Sequence, residues 1–243
     1  MSQYWGLSLW LVATAAMAFW TRHRGASFCC GFILARGLIY YDSAQNGLPE
    51  FGGILHQIGF GFYGWAMAHI LQRRFGITKP SSAPLTFFAD PKYCQLIRFL
   101  TASLLCSGLA WGLTIELLVL PSEAMFANLR HWDVNLLPSP TVEYSLRMVG
   151  ITFTAIGFLF FFVVADLEKY FAVVPLLGAF MTLIGLTLLA FGRNIKELDE
   201  RGWFDGLSCL VLGVAIVFLW LMCHNRLKAY QNGSCSTEPS GVL

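Results

Sequence analysis

Charge is what this chain has least of. Only 12% of its 243 residues are Asp, Glu, Lys or Arg, against about 25% in an ordinary soluble domain. With 56% of the residues hydrophobic, that scarcity excludes a soluble globular domain and leaves a polytopic membrane protein. The formal net charge of +2 is too small to form a basic surface for nucleic acid. Seven cysteines are present but no C-x-x-C pair, so neither a thiol redox centre nor a structural zinc site is expected. The cysteines read as small apolar residues, and vicinal Cys29-Cys30 as reduced. H-E-x-x-H, P-loop and G-x-S-x-G patterns are missing, and no late apolar run holds a lysine for a retinal Schiff base. Two histidines, His56 and His69, share one run. A spacing of thirteen turns them roughly 220° apart on a helix, and no second run offers histidines at matching depth, so haem is not expected. Neither a metal nor a cofactor is called for.

What the chain has in abundance is apolar runs. Seven can be marked: Tyr4–Trp20, Gly25–Tyr41, Phe51–Leu71, Ile97–Leu120, Glu143–Ala165, Tyr170–Gly192 and Trp203–Cys223. A spanning helix needs about 20 mostly apolar residues. The expected fold class is therefore all-α, a transmembrane bundle of seven spans over residues 1–224, with 225–243 a disordered polar tail. The second run is short and carries Arg36; if it re-enters instead of crossing, six spans remain. Ala16-Met17-Ala18 resembles a signal-peptidase site, but no positive charge precedes the first run, which is kept as a span. Asp42–Glu50 reads as a turn, and Pro121–Val142 as a lid or interfacial loop. With the N-terminus outside, ten basic residues face inward and five (Arg130, Arg147, Arg193, Lys196, Arg201) outward. The positive-inside rule then puts the C-terminus in the cytosol. The sequon at Asn232 would face the cytosol and stay silent.

Small residues recur at a spacing of seven: Gly52 and Gly59, Gly150 and Gly157, Gly178 and Gly185, Gly206 and Gly213. Such a beat stays on nearly one helix face and favours close, shallow crossings. Thr154 and Thr182 fall four residues after the first glycine of their pairs, and His56 takes the same place in its own run. Either the threonines bond their own backbone, or His56, Thr154 and Thr182 line a common pocket.

One acid, Glu116, lies within the fourth run, with Gly112 and Gly108 one and two turns below it, so this face should look into the bundle. Arg147 lies one turn inside the next run. Consecutive antiparallel spans would bring these two charges to one depth, and a Glu116–Arg147 pair is the expected contact. Arg36 has Asp42 or Glu50 as nearby partners, or reaches the surface by snorkelling. Asp205 opens the last run and either caps its helix or joins Glu116 and Arg147 in an outward-facing pocket. Intramembrane charges mark functional sites by default, because unpaired they cost several kcal/mol. A paired Glu116 acts as an ion; an isolated one suits proton donation.

The length and seven-run plan resemble those of the small fungal membrane terpene cyclases. That resemblance implies acid-catalysed cyclisation or isomerisation of an isoprenoid-like substrate. Their Asn-x-x-Trp-Glu signature is absent, and no catalytic residue is carried over from it. Two functions are thus expected from the chain. One is a membrane enzyme acting on a lipid-like or isoprenoid-like molecule, with Glu116 as acid, Arg147 and Asp205 beside it, and Arg36, His56, Thr154 and Thr182 around the substrate. The other is a non-catalytic bundle, either a transporter-like carrier or an assembly subunit with a membrane-protein partner.

Overall fold

The computed structural model describes residues 12–19, 23–46, 50–74, 91–131, 137–191 and 199–235. Residues 12–19 are helical. Eight further helices follow: α1 (Arg24–Asn46), α2 (Glu50–Arg74), α3 (Pro91–Gly112), α4 (Ile115–Val119), α5 (Ser122–His131), α6 (Pro140–Ala165), α7 (Val174–Phe191) and α8 (Asp199–Cys235). No strand occurs among the described residues. Among the described residues, four stretches are long and apolar enough to cross a bilayer: Gln95–Val119, Pro140–Ala165, Val174–Phe191 and Trp203–Ala229. Their exposed Phe99, Ile151, Leu176, Leu183, Val211 and Phe218 side chains suit lipid better than water.

Several ends have evident local causes. Ser139 accepts a hydrogen bond from the Val142 N–H at 3.2 Å, and Pro140 follows it with its φ already helical, so α6 starts there. Pro175 sits in the first turn of α7 for the same reason. Pro121 closes α4, and its carbonyl accepts from Met125 N–H to start α5. The expected loop after Pro121 is thus helical over Ser122–His131, its apolar Met125 and Phe126 buried with Leu120. The expected turn at Asp42 is also helical, since α1 continues to Asn46. The last helix does not stop at Cys223. It continues to Cys235, because Asn225–Gln231 contains neither Gly nor Pro and its polar side chains need no apolar cover. At 37 residues and 1.5 Å per residue, α8 is about 55 Å long, well beyond a hydrocarbon core of about 30 Å.

Glycine contacts give the helix directions. A Cβ on Gly31 would meet the Phe60 carbonyl oxygen at 2.4 Å and one on Gly64 the Ser27 oxygen at 2.4 Å, so α1 and α2 run antiparallel, with Thr14 of the first helical stretch packed at the same crossing. A Cβ on Gly157 would lie 2.6 Å from Gly112 N and 2.7 Å from Gly108 O, which makes α3 and α6 antiparallel. The face below Glu116 does look into the bundle. On α7 and α8 the seven-residue beat interlocks: Gly185 meets Gly206 and Leu210, and Gly213 meets Thr182 and Gly178. In α2 the beat fails, since nothing lies within 4 Å of a Cβ on Gly59; Gly61 and Gly64 take the close contacts there. Gly25 against Leu105 and Gly112 against Ile33 make α1 parallel to α3. Phe160, Phe161, Leu100, Leu104, Ile33, Met181 and Ile216 fill the shared interior.

Gly157→Ala therefore forces backbone against backbone and should cost about 1–3 kcal/mol. Gly59→Ala meets open space and should be neutral or stabilise by up to about 1 kcal/mol through helix propensity. Thermal unfolding of both variants in detergent tests the contrast; equal midpoints would contradict the packing described.

Candidate functional site

The span that carries Glu116 is interrupted. Helix α3 ends at Gly112, Leu113 and Thr114 form a turn, and α4 resumes at Ile115. Thr114 is the cause visible in the hydrogen bonds. Its N–H and its Oγ1 both donate to the Trp111 carbonyl, at 3.2 and 2.7 Å, and its own carbonyl accepts from Leu117 N–H at 3.0 Å. These i to i−3 bonds tighten the chain for one turn and break the α-helical ladder. Glu116 lies in the first turn of the new helix, where a carboxylate is favoured by the helix dipole.

The carboxylate of Glu116 meets Arg36, not Arg147. Arg36 Nη2 donates to Glu116 Oε2 at 2.8 Å, and the two side chains are 21% and 18% exposed. The parallel packing of α1 on α3 explains the partnership. Going from Gly25–Leu105 to Ile33–Gly112, the same register carries Arg36 to Glu116. The charge pair thus joins helices that are not consecutive in the chain. Asp42 and Glu50, the nearby acids expected to serve Arg36, have side chains outside the described residues.

Arg147 has a different task. In an unbroken helix the Leu117 carbonyl would accept from residue 121, but that residue is proline and has no N–H. Arg147 Nη1 donates to the Leu117 carbonyl at 3.2 Å and to the Leu118 carbonyl at 2.8 Å. Its Nη2 bonds Glu143 Oε1, one turn earlier in α6, at 3.1 Å, and the Ser122 hydroxyl donates to that same oxygen. A guanidinium at a helix C-terminus supplies missing donors and suits the negative end of the dipole. Gly150 allows the approach, because a Cβ there would stand 3.1 Å from Leu118 N. Glu143 and Ser122 escaped the sequence reading. An i, i+4 Glu–Arg pair and a proline four residues after Leu117 were the available signals.

Asp205 and Thr182 belong to the α7–α8 pair, whereas Thr154 approaches the helix interruption next to Glu116. Asp205 is exposed on α8, beside Gly206, which packs on Leu189 of α7; with α8 beginning at Asp199, Asp205 is not its cap. Thr182 Oγ1 donates to the Gly178 carbonyl at 2.8 Å, the local bond expected of a threonine in a close helix crossing. Thr154 is buried at 7% exposure, and its hydroxyl is 3.4 Å from that of Thr114, at the helix interruption one turn from Glu116. The His56 side chain lies outside the described residues. Among the described residues no three His, Cys, Asp or Glu side chains gather as metal ligands would.

The site is thus an interrupted helix with an ion pair on one side, a hydroxyl pair beneath it and an arginine closing its far end. Compared with known protein families, curated proteins and solved structures, the chain matches none.

Replacing one member of the Arg36–Glu116 pair strands the other charge, which costs about 3–5 kcal/mol in a buried setting. Arg36→Met and Glu116→Leu should each lower the unfolding midpoint in detergent. The joint variant should cost clearly less than the sum of the two. Strict additivity in this double-mutant cycle would show that the two groups do not interact. Arg147→Ala should cost about 1–3 kcal/mol through orphaned carbonyls, with Arg147→Lys intermediate because an ammonium lacks the planar fork; the same melts read both.

Proposed function

We propose that this chain is an integral membrane protein of the transporter-like, non-catalytic kind, which holds a hydrophobic small molecule beside the Arg36–Glu116 pair. The observation that carries the reading is the position of that pair at an interruption in an apolar span. Non-helical backbone at membrane depth persists where it is buried in protein or lines a cavity, and discontinuous helices build the binding sites of many carriers. Both charged side chains keep about one fifth of their surface accessible, so a ligand headgroup has atoms to meet. Seven crossings with the N-terminus outside and the C-terminus cytosolic is the topology we assign. The alternating directions of α1, α2, α3 and α6, and of α7 and α8, support it.

The acid-catalysed alternative asks Glu116 to donate a proton with Arg147 tuning it and Asp205 nearby. A carboxylate that accepts a guanidinium hydrogen bond is a counter-ion, and Arg147 is engaged at Leu117 and Leu118. Conversion of an isoprenoid-like substrate would first require Glu116 to leave Arg36.

Purification in mild detergent followed by mass spectrometry of extracted small molecules tests the proposal. The expected result is a hydrophobic molecule retained by the parent protein and depleted by at least about tenfold, or about 1.4 kcal/mol, in the charge-exchanged variant Arg36→Glu/Glu116→Arg. That variant keeps the pair but inverts it, so loss of ligand with normal yield and melting separates binding from folding. An identical set of retained molecules in both proteins would refute the reading.

A further inference from the structure

At the opposite end of α1 from Asn46 stands a second polar group, which the Arg36–Glu116 site does not use. Arg24 lies in the first turn of α1, a turn with no acidic residue. A cation there faces the positive end of the helix dipole, an arrangement that an added anion would relieve. Arg24 Nε donates to Gln72 Oε1 at 3.0 Å, and its guanidinium carbon is 5.8 Å from the centroid of the Trp65 ring. His69 stacks on that tryptophan, with centroids 5.4 Å apart and planes 12° from parallel. Arg73, one residue beyond Gln72, is exposed. Arg73 stands one turn beyond His69 on α2, so it follows the Trp65–His69 face on which Arg24 packs.

Two further facts give this group a direction. Neither Arg24 nor Arg73 pairs with a carboxylate among the described residues. His69 Nδ1 is buried and finds no hydrogen-bond partner among the described residues, although buried polar atoms are nearly always satisfied. A cationic rim, an unsatisfied nitrogen and a tryptophan at the end of a membrane helix match one occupant. Basic pockets between helix ends bind anionic lipid headgroups, and tryptophan anchors at that same level.

We infer that Arg24, Trp65, His69, Gln72 and Arg73 form a binding site for the phosphate headgroup of an anionic phospholipid. Arg24, positioned by Gln72 and Trp65, takes one phosphate oxygen. Arg73 closes over the group from the α2 terminus, and His69 meets a headgroup oxygen. The acyl chains then lie along the exposed apolar face of α2 that includes Phe62. This site is independent of the proposed function, because it shares no residue with the Arg36–Glu116 pair.

The test uses the full-length protein in nanodiscs of phosphatidylcholine with a minor fraction of phosphatidylglycerol, and counts retained lipid by native mass spectrometry. The parent protein should keep phosphatidylglycerol in preference to phosphatidylcholine. A basic residue near a charged membrane surface is worth about 1 kcal/mol. Arg73→Gln should therefore weaken phosphatidylglycerol retention about fivefold and Arg24→Gln/Arg73→Gln about 25-fold. Arg73→Gln removes an exposed side chain with no ion-pair partner among the described residues, so its effect is readable even where the double variant folds poorly. Arg98→Gln, an exposed arginine at the same end of the bundle, should retain lipid as the parent does. Equal retention by parent and Arg73→Gln, or an equal fall in Arg98→Gln, overturns the site. So does protection against thermal unfolding by inorganic phosphate in uncharged detergent to the extent seen with phosphatidylglycerol, because the ligand is then a soluble phosphate and not a lipid.

Discussion

Away from water, every backbone carbonyl and every charge must find its partner within the protein, and this requirement shapes the chain around Thr114 and Pro121. Two defects fall within a few residues of each other. Thr114 tightens the helix and Pro121 withholds a donor, so carbonyls and a largely buried carboxylate are left to find partners in other helices. Two arginines from other helices answer. Arg147 supplies the donors that the backbone lacks at Leu117 and Leu118, and Arg36 neutralises Glu116. Most of the polar traffic in the middle of the molecule follows from that stretch.

Glycine makes those answers reachable. Arg147 can lie against the end of α4 because Gly150 removes the side chain that would hold α6 away, and Gly157 lets α6 touch α3 backbone to backbone below. Arg36 reaches Glu116 because Gly112 leaves room for Ile33 one turn earlier on α1. Small residues bring the helices close, and long cationic side chains use that closeness. The α7–α8 hairpin shows the same interlocking without charges: Gly178, Gly185, Gly206 and Gly213 carry it, and Thr182 bonds only its own helix.

The legible parts of the fold were those written within one helix. Apolar runs located α3, α6, α7 and α8, because length and hydropathy are local properties. The seven-residue beat identified the faces of α6, α7 and α8 that pack. Glu116 stood out because a lone acid in an apolar run is conspicuous wherever it points. Its partner was not legible. Matching depth made Arg147 reasonable, since consecutive antiparallel helices place it level with Glu116, but depth says nothing about which helix stands on which side. The parallel neighbour α1 won, through contacts at Gly25 and Gly112 that no pattern within one helix reveals. The interruption at Thr114 was hidden too, because Gly112 before it reads equally well as a close-packing residue within an apolar run. The orphaned carbonyl of Leu117 could have been deduced, since a proline four residues on removes its donor.

The Arg36–Glu116 contact also sets an order of events during synthesis. Its members are 80 residues apart, and the whole of α2 and of α3 is made between them. Arg36 is therefore made well before its counter-ion exists, and α1 carries an unanswered charge until then. The contact closes only once α4 has been made. The Arg36–Glu116 contact thus belongs to a late stage of synthesis, after α2 and α3 are complete.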